Sequence, residues 1–411
     1  MTQTAIHQEK NWKKVAFPLT TALLAFLIPV LKGGIQIPIF LVVIAWFFYP
    51  KRTWKEQWWP ILVFSGIFIF HIIGLFYSEH LDRGISDVTG KLSLLLFPLV
   101  YGLAMPLSRQ FRRITLICFA AGTIFSIIFD LVSSAADYSR TGMISEFYMS
   151  AFSPVFHPSY VAMYVNMAIA VLLTSLTAFT FTKKQIGLIW GLVFFLAVSL
   201  VFPSSKMGFI TFGFLVVFFL VKWASQKRLM HANSLLIIGI SIVTAVFINY
   251  NPVASNRVNS AIAYADGDRT PSKSDQIEST GARIFAWKAT LAEIKEHPLG
   301  VGTGDINVEL EKRFRETGLD KLADKGLNPH NQYLQTAMAL GIPAIAWFLF
   351  SLIFPFAKIF KTKDWLYAFF LCIVALNLMV ESMLEKQSGV IFFAFFNSFF
   401  YFMTLQDKKL E

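Results

Sequence analysis

The sequence predicts an all-α polytopic membrane protein of about 12 transmembrane helices, and three observations carry that prediction. Hydrophobic residues make up 55% of the 411 residues and charged residues only 15%. Soluble domains run at roughly 45–50% and 25%, even with glycine counted as apolar. The mean hydropathy is +0.58. The chain also holds 44 phenylalanines, more than one soluble core absorbs. A soluble enzyme, a disulfide scaffold and a disordered chain are thereby excluded. Cys118 and Cys372 both fall inside apolar runs, without metal-ligand or redox spacing, and read as packing residues.

Runs long enough to cross ~30 Å of hydrocarbon lie near 15–31, 34–50, 60–77, 91–107, 114–134 and 159–182. Six more lie near 185–202, 207–224, 234–250, 332–357, 366–384 and 390–405. The first two, split by Lys32, Gly33 and Gly34, form either a tight hairpin or one re-entrant segment. The polar start MTQTAIHQEKNWKK runs into a full-length apolar stretch without a small-residue cleavage site, which predicts a retained first span.

Basic residues set the orientation, counted over short loops only. With the N-terminus inside, cytoplasmic segments carry nineteen Lys and Arg, and short outside loops carry six: Lys32, Arg83, Lys91, Arg140, Lys206 and Lys386. The other eleven occupy one long loop, about 251–329, which translocates regardless of its charge. Both termini are therefore expected in the cytoplasm and the long loop outside. The net charge of +11 is mostly a topology signal, and nucleic acid is not an expected partner. The chain divides into 1–250 (spans one to nine), 251–331 (the long loop) and 332–411 (spans ten to twelve with a tail).

Within the long loop, Asn251 to Ser279 is polar and turn-rich. Gly281 to His297 places Ile284, Trp287, Leu291 and Ile294 at helical spacing. After Pro298-Leu-Gly-Val-Gly-Thr-Gly304, a second helix can be capped by Asp305; it sets Ile306, Leu310 and Phe314 on one face and ends at Gly318. Two such helices would form a lid on the outer surface. The glycines of 300–304 lack dinucleotide-loop spacing and predict a tight turn. Asp266-Gly-Asp268 has the form of a metal-binding pair, but a turn-rich stretch is a poor place for one, and no metal is expected.

Every even-numbered span begins outside, where its unpaired N–H groups and dipole favour an anion. Three of these starts carry a basic or imidazole side chain: His157-Pro158, Lys206 and Pro329-His330-Asn331. A lipid diphosphate head group is the ligand such an interface suits. Proline suits the first turn of a helix, so Pro329-His330-Asn331 sets His330 at the mouth of its span, where a neutral imidazole could act as a general base. Arg283 lies near a helix start, where a cation opposes the dipole, so something other than helix stability selects it. Asp130, Glu381 and Glu385 are ionisable groups at membrane depth, which are functional candidates by default. Lys386 is a natural partner for either glutamate, and Asp130 is expected to pair within the bundle.

The sequence resembles the O-antigen ligase and O-antigen polymerase superfamily of bacterial inner membranes. His330-Asn331, nine residues and Gly341 follow the ligases' motif, whose next glycine falls here on Ala344. Gly281-Ala-Arg-Ile-Phe-Ala-Trp287, followed by Pro298-Leu-Gly-Val-Gly302, resembles the arginine-bearing loop segment, and Ser205-Lys206 stands where the family commonly has Ser-Arg. Lysine keeps the charge but not the bidentate fork. The resemblance implies glycan transfer from undecaprenyl diphosphate to a hydroxyl, above all on lipid A-core, at the periplasmic face, by inversion and without metal, nucleotide or other cofactor. It implies catalytic roles for His330, Arg283 and Lys206, with His157, Tyr160, Asn331, Glu381 and Glu385 as substrate contacts. A polymerase extending the lipid-linked glycan, a protein O-oligosaccharyltransferase and a non-catalytic polysaccharide transporter are the alternatives.

Overall fold

The computed structural model describes residues 3–178, 180–224, 230–256, 259 and 279–403. The Asp266-Gly267-Asp268 pair, most of the polar part of the long loop and the segment after Met403 lie outside these. Among the described residues the chain is helical; its one β-interaction is an isolated bridge between Lys51 and Ala104.

In chain order the helices are α1 (Gln3–Leu27), α2 (Gln36–Phe47), α3 (Trp54–Leu75), α4 (Leu81–Gly90), α5 (Ser93–Leu103) and α6 (Arg109–Thr141). There follow α7 (Met149–Phe152), α8 (Pro158–Ala178), α9 (Lys183–Ser199), α10 (Lys206–Ala224), α11 (Met230–Tyr250) and α12 (Ser279–Glu296). The last six are α13 (Ile306–Glu316), α14 (Asp320–Asp324), α15 (Gln332–Ile353), α16 (Phe356–Thr362), α17 (Trp365–Leu378) and α18 (Gln387–Met403).

Six stretches among the described residues are long and apolar enough to cross a membrane: Trp54–Leu75, Arg109–Thr141, Pro158–Ala178, Lys206–Ala224, Asn233–Tyr250 and Gln332–Thr362. The runs expected at 34–50, 366–384 and 390–405 are realised as shorter apolar helices. That at 91–107 contains only the 11 residues of α5, because the chain turns at Lys91 and Leu92. At 1.5 Å per residue, an 11-residue helix covers about half of ~30 Å.

The helices group into two compact units, Met1–Pro50 with Leu107–Ser260, and Lys51–Pro106 with Ala261–Glu411. In the first unit α1 and α2 pair as a hairpin through Gly34, whose φ of +76° suits glycine. α6 approaches α1 so closely that a Cβ on Gly122 would stand 2.0 Å from the Phe26 carbonyl oxygen. α8 is the buried centre of this unit. Its Asn166 amide donates to the carbonyls of Ala162 and Gly208 and to Thr211 Oγ1, at 2.8–3.0 Å, tying α8 to α10. Asp130, on α6, lies beside Ser153, so it is accommodated inside the bundle as expected.

In the second unit many of the phenylalanines find their place. α5 packs against both α3 and α18, and its Phe97 and Tyr101 meet Phe395 and Phe399 of α18 edge-on. The Arg52 guanidinium donates to the Phe402 carbonyl at 2.6 Å, and Tyr367 OH donates to Asn397 Oδ1 at 2.6 Å.

Two expectations for the loop helices need correction. α12 buries Ala282, Ala286, Ala289 and Glu293, while Leu291 is 47% exposed and Ile284, Trp287 and Ile294 are only half-buried. The small face wins because α12 packs on α15, and small side chains let two helices approach closely. On α13, Ile306, Leu310 and Phe314 are buried as the spacing predicts. Asp305, however, occupies the N-cap position without capping. Its carboxylate instead accepts from the backbone N–H groups of Glu79 and His80 at 2.8 and 2.9 Å. Burial pushes the Asp305 carboxyl up, but the His80 side chain and the Glu79 and His80 N–H groups together outweigh it and hold the carboxyl below its usual range.

Candidate functional site

The site in the second unit is built on a break in a helix. α15 is interrupted at Gly341, with φ +81° and ψ −178°. The break deprives carbonyls before it of their partners four residues on, and Leu299 to Gly302 takes them up. Val301 N–H donates to Met338 O at 2.9 Å and Gly302 N–H to Ala339 O at 3.0 Å. Ile342 N–H donates in return to Pro298 O at 2.9 Å. A Cβ on Gly341 would stand 2.4 Å from the Leu299 carbonyl carbon, and one on Gly300 2.5 Å from Ala339 O. The glycines at 300 and 341 are therefore needed together: they let a loop lie against the broken helix, while a Cβ on Gly302 would meet Ser78 and Asp305. The tight turn expected at Gly300-Val-Gly-Thr-Gly304 is present, with φ +91° at Gly300 and +111° at Gly302.

At the other end of the motif, Asn331 is the N-cap of α15, its Oδ1 accepting from Tyr333 and Leu334 N–H at 3.0 and 3.1 Å. Its position is thus explained by helix capping. Pro329 does not sit in the first turn as expected. It precedes the cap, and its carbonyl accepts from Trp287 Nε1 at 2.7 Å. His330, between them, has φ +46°, a left-handed conformation that a β-carbon disfavours. The strain is held by bonds on both sides: Trp287 to Pro329 O, and His330 N–H to Asn328 Oδ1 at 2.9 Å. Such over-determined strain at a non-glycine residue points to function.

The turn after α17 brings Glu381 to this point. His330 Nδ1 lies 3.1 Å from Glu381 Oε1, and Arg283 Nη2, on α12, lies 3.8 Å from Glu381 Oε2. A carboxylate can only accept, so the bond places a proton on Nδ1 and the lone pair of the neutral ring on Nε2. This is the arrangement of a base held by an orienting carboxylate. Burial lowers the Arg283 pKa, with Glu381 opposing it. Arg283 stays a cation, since guanidinium does not deprotonate in proteins.

Glu385 does not join Glu381. It accepts from Gln332 Nε2 at 3.3 Å, and its cation is Lys91, 2.8 Å away, rather than Lys386. Lys91 is 1% exposed and also bonds Asp87, one helical turn before it on α4; His71 stands 3.4 Å from Asp87. Counted from the sequence as an exposed loop cation, Lys91 is the centre of a buried ion cluster. Burial would lower its pKa, but Glu385 and Asp87 together raise it. Burial pushes Glu385 up, and Lys91, His71 and Gln332 together more than reverse this, leaving the carboxyl below its usual value. Burial and the Glu385 charge push Asp87 up to about 7. Gln332 Oε1 accepts from Leu384 N–H at 2.7 Å, so this cluster fastens the turn bearing Glu381 to the start of α15.

His157, Tyr160 and Lys206 belong to the first unit. His157 Nδ1 accepts from Ser159 N–H at 3.4 Å, at the start of α8, and its ring lies 6.4 Å from that of the buried Tyr160. Lys206 opens α10 as expected, just after Ser204 at φ +46° and Ser205, whose Oγ accepts from Gly208 N–H.

Residues 190–349 match the family model described as O-antigen ligase. The match is consistent with the O-antigen ligase superfamily and supports a glycosyltransferase of the O-antigen ligase or polymerase type, a family acting on lipid-linked glycans. The matched segment contains Lys206, Arg283, His330, Asn331 and Gly341, whereas His157, Tyr160, Glu381 and Glu385 fall outside it. A comparison with curated proteins finds no match.

Proposed function

We propose that the chain is an O-antigen ligase-like glycosyltransferase that moves a glycan from undecaprenyl diphosphate to a hydroxyl on lipid A-core. The observation that carries the reading is the His330–Glu381–Arg283 cluster, 3.1 and 3.8 Å across its two contacts. His330 Nε2 takes the proton of the acceptor hydroxyl as its oxygen attacks the anomeric carbon. The new C–O bond forms on the face opposite the breaking bond to the diphosphate, which inverts the centre. Glu381 holds the ring and balances the imidazolium. Arg283 stabilises charge developing on the departing diphosphate. Lys206 is assigned to the diphosphate on the sequence argument alone, and His157, Tyr160, Asn331 and Glu385 to sugar or acceptor contacts. No step calls for a metal or a nucleotide. In this reading the protein lies in a bacterial inner membrane with twelve spans, both termini cytoplasmic, and the loop 251–331 and the site in the periplasm.

Ala344, where the ligases' second glycine falls, leaves one further reading open: a polymerase extending the lipid-linked glycan. Deleting the gene in its host and resolving the lipopolysaccharide and the lipid-linked pool separates them. Bare cores with long polymer stranded on the carrier are expected for the ligase. Cores capped by a single repeat would instead mean the polymerase. An unchanged pattern would contradict both and turn the reading to protein O-glycosylation or transport.

A further inference from the structure

A cavity of about 580 Å³ opens in the second unit beside the ion cluster, within the ~300–1,000 Å³ typical of small-ligand sites. Its charged lining cancels: Arg83, Lys91 and Lys386 face Asp82, Asp87 and Glu385. A diphosphate gains little from such a lining, because the carboxylates leave little positive charge to attract it. The remaining polar groups are mainly amides, Asn307, Asn328, Gln335 and Gln387, each offering both a donor and an acceptor. Apolar patches from Ile306, Leu384 and Val390 lie among them. Alternating donors, acceptors and apolar patches suit the hydroxyls and C–H faces of a sugar ring.

One group in this wall calls for a ligand. Gln335 is 3% exposed, and among the described residues no donor reaches its Oε1. A buried acceptor left without a donor is costly, so such atoms are normally met by protein, water or ligand. The cavity also adjoins the catalytic candidate, because Asn328, in its wall, accepts from the His330 backbone N–H. We propose that this cavity binds a neutral saccharide unit of the glycan and that the Gln335 amide, whose Oε1 is closed off from the open space in this structure, turns into the cavity to accept from a sugar hydroxyl. The inference rests on the glycosyltransferase reading and adds a subsite to it: Arg283 is placed on the diphosphate and this cavity on the sugar.

The test uses the full chain in nanodiscs with free glucose, galactose, N-acetylglucosamine and lactose as probes, followed by saturation-transfer NMR. At least one saccharide is expected to bind, unaffected by inorganic pyrophosphate. Gln335→Met should weaken that binding about two- to tenfold, the loss of one neutral hydrogen bond. Gln335→Asn, which keeps the amide but withdraws it by one methylene, should weaken it as well and covers failure of the methionine variant to fold. Absence of saccharide binding, equal binding by both variants, or displacement by pyrophosphate would overturn the proposal. In a transfer assay, the bound saccharide raising the KM for acceptor assigns the cavity to the acceptor glycan. A raised KM for donor assigns it to the donor glycan, and no change in either overturns the assignment. His330→Ala should lose transfer and keep saccharide binding; retained transfer would sink the catalytic reading while the binding result still decided the cavity.

Discussion

Lys91→Met removes the ammonium from the buried cluster and leaves Glu385 without its cation. At 2.8 Å and an effective dielectric of about 20, the Lys91–Glu385 attraction is about 6 kcal/mol. Most of it offsets the cost of taking both charges out of water. The loss on truncation is therefore set by the stranded carboxylate, about 3–5 kcal/mol. Gln332 Nε2 still donates to Glu385, which favours the lower end. Thermal unfolding of the full chain in nanodiscs, read by tryptophan fluorescence, should show a clear fall in midpoint for Lys91→Met. Adding Glu385→Gln removes the stranded charge, so the double variant should be more stable than Lys91→Met alone. Stability within about 0.5 kcal/mol of the unaltered chain, the scale of an ordinary surface change, would refute the reasoning. Simple additivity of the two substitutions would refute it too.

Three further outcomes follow from the same geometry. Asp87 holds its proton more tightly folded than unfolded, with a pKa of about 7 against 3.8. Its stabilising contribution is complete below about pH 4 and is lost as pH rises through about 7; Asp87→Asn should flatten the fall in unfolding midpoint over that window, and an unchanged slope would contradict the assignment. Glu381→Gln should lower the transfer kcat about 10- to 30-fold, the lower part of a charged hydrogen bond's ~1.5–3 kcal/mol, because the His330 side chain is 25% exposed. An unaltered kcat would remove Glu381 from the mechanism. Gly341→Ala forces a side chain into φ +81° and into the Leu299 backbone, and should cost more than about 3 kcal/mol or abolish folded protein. Ala344→Gly, which restores the family's second glycine, should cost only about 1 kcal/mol; equal losses would contradict the account of the break.

The apolar runs and the fall of the basic residues were enough to predict a helical membrane chain, since both follow from local composition. The start of α8 at Pro158 was legible because proline at a first helical position is a local signal, and that of α10 at Lys206 because a lone cation stands at the edge of an apolar run. What escaped was set by tertiary contact. The buried face of α12 is its alanine face because of α15, which no periodicity in 281–297 reveals. Asp305 had the right position for a cap, yet its carboxylate was drawn to Glu79 and His80, 225 positions or more away. Lys91 shows the same limit: its Asp87 partner sits at helical spacing and could have been found, whereas Glu385 is 294 positions distant. His330, Arg283 and Glu381 could each be singled out, but not that the carboxylate joins the other two.

The most direct test of the central claim is glycan transfer by the purified full chain in proteoliposomes, given an undecaprenyl-diphosphate-linked glycan and a lipid A-core acceptor. His330→Ala should fold and bind donor as the unaltered chain does, while transfer falls by about 10²–10⁴-fold, the contribution of a positioned general base. Transfer by His330→Ala at the full rate would contradict the account.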